Sequence, residues 1–380
     1  MNPLMQRLMA DATALTRRGD LGAATAAIQQ ALGLRANGFS PPNPPPSESE
    51  FTALKGAEDL EGSLTLEGLT RWVDEPAPAA PVASDSGESW TASIFNHRGH
   101  KWAYKLFLPA RSGAQPTSSR PLVVMLHGCT QDAEDFAAGT QMNLLAREHG
   151  FAVLYPEQGR RANAQRCWNW FKPQHQARDR GEPAMIAALT QSIVDTHGLD
   201  GSRVYIAGLS AGGAMADIVG RAYPDVFAAV GVHSGLAAGA ANDLPGALQA
   251  MRIGAPGQAS SRAAARPTII FHGGADTTVH PANGAAIASA CLQSHPGAKP
   301  RAMTSEGTSR AGQRYSRTIH SDEDGTPRVE HWQLHGGGHA WSGGSSEGSY
   351  THPGGVDASR EMVRFFNANH LETGTRSKPG

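Results

Sequence analysis

From residue 89 onward, short apolar runs alternate with segments of helical periodicity. Residues 90–96 and 101–108 flank His97-Arg98-Gly99-His100, a pattern that predicts a β-hairpin. The run Pro121-Leu-Val-Val-Met-Leu126 predicts a buried strand, and a helix through Phe136, Met142 and Leu145 follows it. Next come a strand over 151–155, a helix near 182–196, a strand over 203–207, a helix over 211–223 and a strand over 228–233. Strands over 267–271 and 329–334 each precede a helix, the last of these spanning 356–367. Short apolar strands set between helices form a mostly parallel sheet covered on both faces. One α/β domain is therefore predicted over residues 89–372, with a tail at 373–380.

Residues 1–88 carry a different pattern. Leu8, Met9, Ala12 and Leu15 recur at helical spacing, as do Ala24, Ile28 and Leu32 beyond the turn Arg18-Gly19-Asp20. This predicts a small helical hairpin similar to one tetratricopeptide-type unit. A lone hairpin cannot bury its own apolar face. It is expected to contact the α/β domain or another protein, or to stay a mobile arm. The Pro/Ser run at 41–50 and the Pro/Ala/Ser/Asp-rich stretch at 74–88 read as linkers.

Composition narrows the partners. The 33 Lys+Arg balance 34 Asp+Glu, which gives no general attraction to nucleic acid or to an anionic membrane. No apolar run approaches the ~18 residues of a spanning helix, so no membrane insertion is expected. Residues 1–18 hold no apolar core of a secretory signal, and a cytoplasmic start is the expectation from the residues alone. Three cysteines, Cys129, Cys167 and Cys291, allow one disulfide at most.

The candidate chemistry lies at strand ends. Gly208-Leu-Ser210-Ala-Gly212 fits G-x-S-x-G between a predicted strand and a predicted helix. That placement puts a serine on a strained turn at a helix N-terminus, whose dipole favours a developing oxyanion. A serine hydroxyl needs a base, and the base needs an orienting acid. Asp276 follows the strand 267–271 in a Gly-rich loop, and His339 follows the strand 329–334 in another, so both are assigned to that task. His331 and His335 fall in the strand pattern and read as structural. An oxyanion hole would take the backbone N–H of Ala211 and, from the loop after His127-Gly128, that of Cys129. Trp168 and Trp170 alternate with Asn169 in an irregular stretch, and Trp341 follows His339. These three rings are candidate substrate contacts, while Phe171 reads as core. Cys129 and Cys167 fall in loops at one edge of the sheet, where a disulfide would tie the two loops. Cys291, in a predicted helix, reads as a buried small hydrophobe. No zinc-spaced pair and no phosphate-cradling loop is present, so neither metal nor cofactor is expected.

Leu126-His-Gly-Cys-Thr-Gln131, Cys167-Trp-Asn-Trp-Phe171, Gly208-Leu-Ser-Ala-Gly-Gly213, Gly231-Val-His-Ser-Gly235 and Gly336-Gly-Gly-His-Ala-Trp-Ser342 together resemble the esterase/polyhydroxybutyrate depolymerase family. Feruloyl and acetylxylan esterases are its relatives. The resemblance spans roughly residues 90–370. It implies an α/β-hydrolase fold, hydrolysis of short-chain hydroxyalkanoate polyesters or oligomers, and the triad Ser210, Asp276, His339. It also implies an extracellular setting. A carbohydrate esterase or a serine peptidase on the same fold are the alternatives. A protein whose 1–34 hairpin recruits a partner is the alternative from another class.

Overall fold

The computed structural model describes residues 87–110, 120–255, 265–294, 300–323 and 325–371. The expected hairpin, the linker at 41–50, the linker at 74–88 up to residue 86, and the tail at 373–380 lie outside the described residues. The chain opens with β1 (Ser89–His97), β2 (His100–Leu108) and β3 (Leu122–Leu126). Helices α1 (Ala133–Thr140) and α2 (Met142–His149) precede β4 (Ala152–Pro156). Then come α3 (Gly181–His197), β5 (Val204–Leu209), α4 (Ala211–Ala222), β6 (Ala229–His233), α5 (Leu244–Ile253), β7 (Thr268–Gly273) and α6 (Ala282–Gln293). The last part holds β8 (Arg301–Thr308), β9 (Arg314–Ser321), β10 (Pro327–Leu334), the short β11 (Trp341–Ser342) and β12 (Thr351–His352), and α7 (Ala358–Asn367).

Ten strands form one sheet in the order β1-β2-β4-β3-β5-β6-β7-β10-β9-β8. The six from β4 to β10 run parallel. Antiparallel hairpins close both edges, β1–β2 beside β4 and β8–β9 beside β10. Alternate residues of each central strand face opposite cores. In β3, Leu122, Val124 and Leu126 pack with α3, α4, α5 and α6. Val123 and Met125 pack with α1, α2 and α7 on the other face. This is the α/β-hydrolase arrangement, and it brings the C-terminal ends of β3, β4, β5, β6, β7 and β10 to one edge.

Beyond the short pair β11–β12, three features differ from the sequence expectation. The single helix through Phe136 and Leu145 is two, because Gln141 adopts a left-handed φ of 54° and ends α1. The hairpin β8–β9 was not expected, since its outer strand is exposed at nearly every position and shows no apolar period. Helix α5 was not expected either. It starts at Asp243, whose side chain accepts from the Gly246 N–H, with Pro245 in the first turn.

Candidate active site

Ser210 sits between β5 and α4 with φ 58° and ψ −119°. A left-handed φ on a non-glycine residue costs about 1–3 kcal/mol and persists only where the surroundings impose it. Here the backbone supplies the constraint. The Ser210 N–H donates to the His233 carbonyl at 2.9 Å, and the Ser210 carbonyl accepts from the Ala214 N–H at 2.9 Å. The flanking glycines are required by space. A Cβ at Gly212 would stand 2.1 Å from the Leu126 oxygen, and one at Gly208 would stand 2.4 Å from the Gly212 carbonyl. Only a residue without a side chain lets β5, α4 and the end of β3 meet this closely.

The structure brings His339 and Asp276 to this serine from two other strand ends. His339 Nε2 lies 2.9 Å from Ser210 Oγ, and His339 Nδ1 lies 2.7 Å from Asp276 Oδ2. An ionised carboxylate only accepts, so Nδ1–H donates to Asp276. That tautomer leaves the Nε2 lone pair to accept the serine hydroxyl proton. Asp276 Oδ1 is held in turn by the N–H groups of Thr278 and Val279 at 2.9 and 2.8 Å. Burial opposes the Asp276 charge. Hydrogen bonds from His272 and His339 and the Val279 N–H outweigh it and hold the carboxyl below the usual carboxylate range. The pair can take a proton from Ser210 and stabilise the imidazolium so formed.

The loop carrying His339 is fastened at both ends. The Ala275 N–H donates to the Gly337 carbonyl at 2.9 Å, and the Trp341 N–H donates to the Tyr350 carbonyl at 2.7 Å. The Ser342 N–H donates to His233 Nε2 at 3.0 Å. His233 thus reaches both sides of the site: its carbonyl holds Ser210 and its ring holds the His339 loop. Burial pushes the His233 imidazole down to about 3, with nearby His272 and His339 acting the same way, so it stays neutral and can accept. The sequence reading assigned His233 no role, and its signal there was only the motif Gly231–Gly235.

Cys129 lies just past β3 in the loop facing Ser210. Among the described residues, no hydrogen bond carries the Cys129 or Ala211 N–H to a protein acceptor. The loop is pinned from several directions. A disulfide joins Cys129 to Cys167, the Thr130 N–H donates to the Gln165 carbonyl at 2.7 Å, and Arg166 pairs with Asp132 at 3.0 Å. Gln131 accepts from the Gly128 N–H at 2.9 Å and donates to Asp135 at 2.8 Å. Cys291 is a buried thiol in α6, within 3.3 Å of Arg221 Nη2.

The tryptophans are a correction. Trp168 and Trp341 are 0% and 1% exposed, and Trp170 is 5% exposed, so none presents a ring face to a substrate. Trp341 stacks on His233 and meets Phe136 edge-on, and its Nε1 donates to Ser359 Oγ at 3.0 Å. Trp168 packs in the core under α3, with its ring 5.7 Å from His127. Large rings in the sheet-to-loop layer bury more surface inside than at a rim, and packing takes them. Phe171 is partly buried against the same core, its ring edge-on to Trp170. The exposed ring beside the loop of Cys129 is Tyr350, 47% exposed, whose hydroxyl lies 3.2 Å from Thr130 Oγ1. Nothing in its sequence neighbourhood marked it.

Among the described residues, no helix is long and apolar enough to cross a membrane, and no cluster of three or more His, Cys, Asp or Glu could hold a metal.

Comparison with known proteins agrees with this architecture. The chain is 34% identical over 219 residues to the poly(3-hydroxyalkanoate) depolymerase C of Paucimonas lemoignei, covering 54% of this chain and 52% of that one. It is 34% identical over 137 residues to feruloyl esterase B of Thermothelomyces thermophilus, covering 36% of this chain and 45% of the relative. The chain thus spans about half the length of these curated relatives. Among solved structures, the acetyl xylan esterase from Aspergillus awamori superposes with a TM-score of 0.58 at 19% identity, over 74% of this chain and 99% of that one. It shares the fold. The family model Esterase PHB depolymerase matches residues 102–315, more than half of the chain. The chain belongs to the esterase/PHB depolymerase family.

Proposed function

We propose that this chain is a carboxylic-ester hydrolase working through an acyl-enzyme on Ser210. The reading is carried by one observation: the Ser210–His339–Asp276 relay, with spacings of 2.9 and 2.7 Å, at the C-terminal edge of a parallel sheet. His339 takes the Ser210 proton as Oγ attacks the ester carbonyl, and Asp276 orients the ring and stabilises its charged form. The Cys129 and Ala211 N–H groups receive the tetrahedral oxyanion. His339 then protonates the leaving alcohol. Water, deprotonated by the same imidazole, hydrolyses the acyl group from Ser210.

The proposed substrates are short-chain esters, with hydroxyalkanoate oligomers first, the class in the name of the Paucimonas lemoignei relative. With the tryptophans buried, the size limit rests on the loop after β10. Residues 336–348 are mostly Gly and Ser, and the exposed ring nearby is Tyr350. A long acyl chain finds little apolar surface there to cover at ~0.8 kcal/mol per CH₂. A p-nitrophenyl ester series from C2 to C12, run beside a 3-hydroxybutyrate oligomer and acetylated xylan, tests the reading. The expected kcat/KM peaks at about C2–C6, and Ser210→Ala lowers kcat by roughly 10⁶-fold. A steady rise to C12 contradicts the size limit. Cleavage of peptides with no ester turnover moves the chain to the peptidase alternative.

A further inference from the structure

A second site-sized feature lies along the same sheet edge, on the far side of the Cys129 loop. It is an open groove of about 1100 Å³ between the β1–β2 turn, the loop 157–172 and the start of α3. Its place follows from strand register. β2 runs antiparallel to β4 with Tyr104 opposite Pro156, so the turn at Arg98-Gly99 projects past the C-terminal end of β4. That is the edge on which Ser210 stands. β4 is two strands from β5 and β1 is four. At ~4.8 Å per strand the groove therefore runs from about 10 to about 19 Å from the strand of Ser210.

The lining is strongly one-signed. Arg98, Lys101, Arg160, Arg161, Arg166 and Lys172 face two carboxylates, Glu157 and Glu182. Both carboxylates are already engaged. Glu157 accepts from the Ala133 N–H at 3.2 Å, and buried Glu182 accepts from Gln158 and twice from Asn169. The cations are engaged less. Arg166 pairs with Asp132 and Arg98 donates to the Asp179 carbonyl. Among the described residues, no ion pair or side-chain hydrogen bond ties Lys101, Arg160, Arg161 or Lys172. The wall also holds His97, whose Nε2 is buried with no partner among the described residues, and the half-buried ring of Trp102. A concave surface with four uncommitted cations favours anions and focuses their field. Arg160 and Arg161 offer planar forks matched to carboxylates.

We propose that this groove is a subsite for carboxylate groups carried by an oligomeric substrate whose scissile ester lies at Ser210. The inference rests on the ester-hydrolase reading and deepens it. The substrate transfers its acyl group to Ser210 Oγ at the sheet centre, while the carboxylate, carried on the leaving alcohol, lies two to four strands away. The loop 157–172 connects the two, because Cys167 in it is disulfide-linked to Cys129.

The test uses the full chain and the double variant Arg160→Gln/Arg161→Gln. Both side chains are exposed, so the melting temperature is expected to be unchanged. Three esters are compared: p-nitrophenyl acetate, the 3-hydroxybutyrate trimer as free acid, and the same trimer capped as methyl ester. The expected result is a KM for the free acid that rises roughly three- to tenfold in the variant, with kcat unchanged, as for one or two partly exposed ion pairs. The capped trimer and p-nitrophenyl acetate should not change. Calorimetric titration of the chain and of the double variant, each carrying Ser210→Ala, with the free-acid trimer and with trigalacturonate reads binding without turnover. It distinguishes an oligoester carboxylate from a uronate as the source. Equal effects on free and capped trimers, or no difference between the two proteins in binding either anion, overturn the subsite. A chain that binds an anion through these arginines but cleaves no ester keeps the subsite and loses the hydrolase reading.

Discussion

Ser210, His339 and Asp276 come from positions 210, 339 and 276, yet the sheet leaves them within hydrogen-bond reach. Each was legible because a chemically distinctive residue followed an apolar strand in a glycine-rich loop. His233 and Tyr350 were not legible. Their importance comes from partners more than 100 residues away, the Ser342 N–H for one and Thr130 for the other. The tryptophans show the opposite error, because an irregular aromatic stretch looks the same in sequence whether it lines a pocket or fills the core. Their burial makes a testable difference. Trp168→Ala is expected to cost about 3–5 kcal/mol of stability as a core truncation, measured by urea unfolding. The KM for p-nitrophenyl acetate should stay within about twofold of the unaltered chain. Intact stability with a raised KM would return Trp168 to the pocket wall.

At the scale of elements, the six parallel strands were legible because most are short apolar runs next to a helix, and their predicted bounds lie within a few residues of those observed. Hairpin β8–β9 hid because its outer strand covers no core and carries no apolar alternation. The break between α1 and α2 hid because it turns on the backbone of one residue, Gln141. The element with the most mechanical consequence is the strap between the loop after β3 and the loop after β4. The Cys129–Cys167 bridge closes a sequence separation of 38 residues, and chain-entropy reasoning assigns such a loop about 3–4 kcal/mol. The double change Cys129→Ser/Cys167→Ser is therefore expected to lower the melting temperature. It should also lower kcat on p-nitrophenyl acetate by about tenfold or more, as an oxyanion donor loses its fixed position. If stability falls while kcat holds, the strap is structural and the Cys129 N–H lies outside the oxyanion site.

Across the whole molecule, buried neutral imidazoles set the acid limit. Desolvation is the largest cause for each: it lowers His127 to about 4, His233 to about 3 and His331 to about 4. In the unfolded chain each would take a proton near the ordinary value of about 6.5. Between those limits the unfolded chain holds more protons. The stability they contribute is complete above about pH 6.5 and is lost as pH falls toward 4, by up to about 1.4 kcal/mol per unit for each imidazole. Asp276 behaves otherwise. Its folded carboxyl lies below the usual range, so its contribution is complete above the unfolded carboxylate value and fades only at more acidic pH. Calorimetric melting at pH 7, 5.5 and 4.5 should show a falling transition temperature, and a flat profile across that range would mean these imidazoles titrate normally.

The central claim is that one side chain, Ser210, is the covalent centre of an ester hydrolase. The most direct measurement treats the full chain with an organophosphonate ester, which transfers its phosphonyl group to an activated serine oxygen and releases its leaving group. Intact mass and peptide mapping then locate the adduct while p-nitrophenyl acetate turnover is followed. One adduct per chain on Ser210, rising in step with the loss of turnover and absent from Ser210→Ala, is the predicted result. An adduct on another residue, or full turnover by a completely labelled chain, contradicts it.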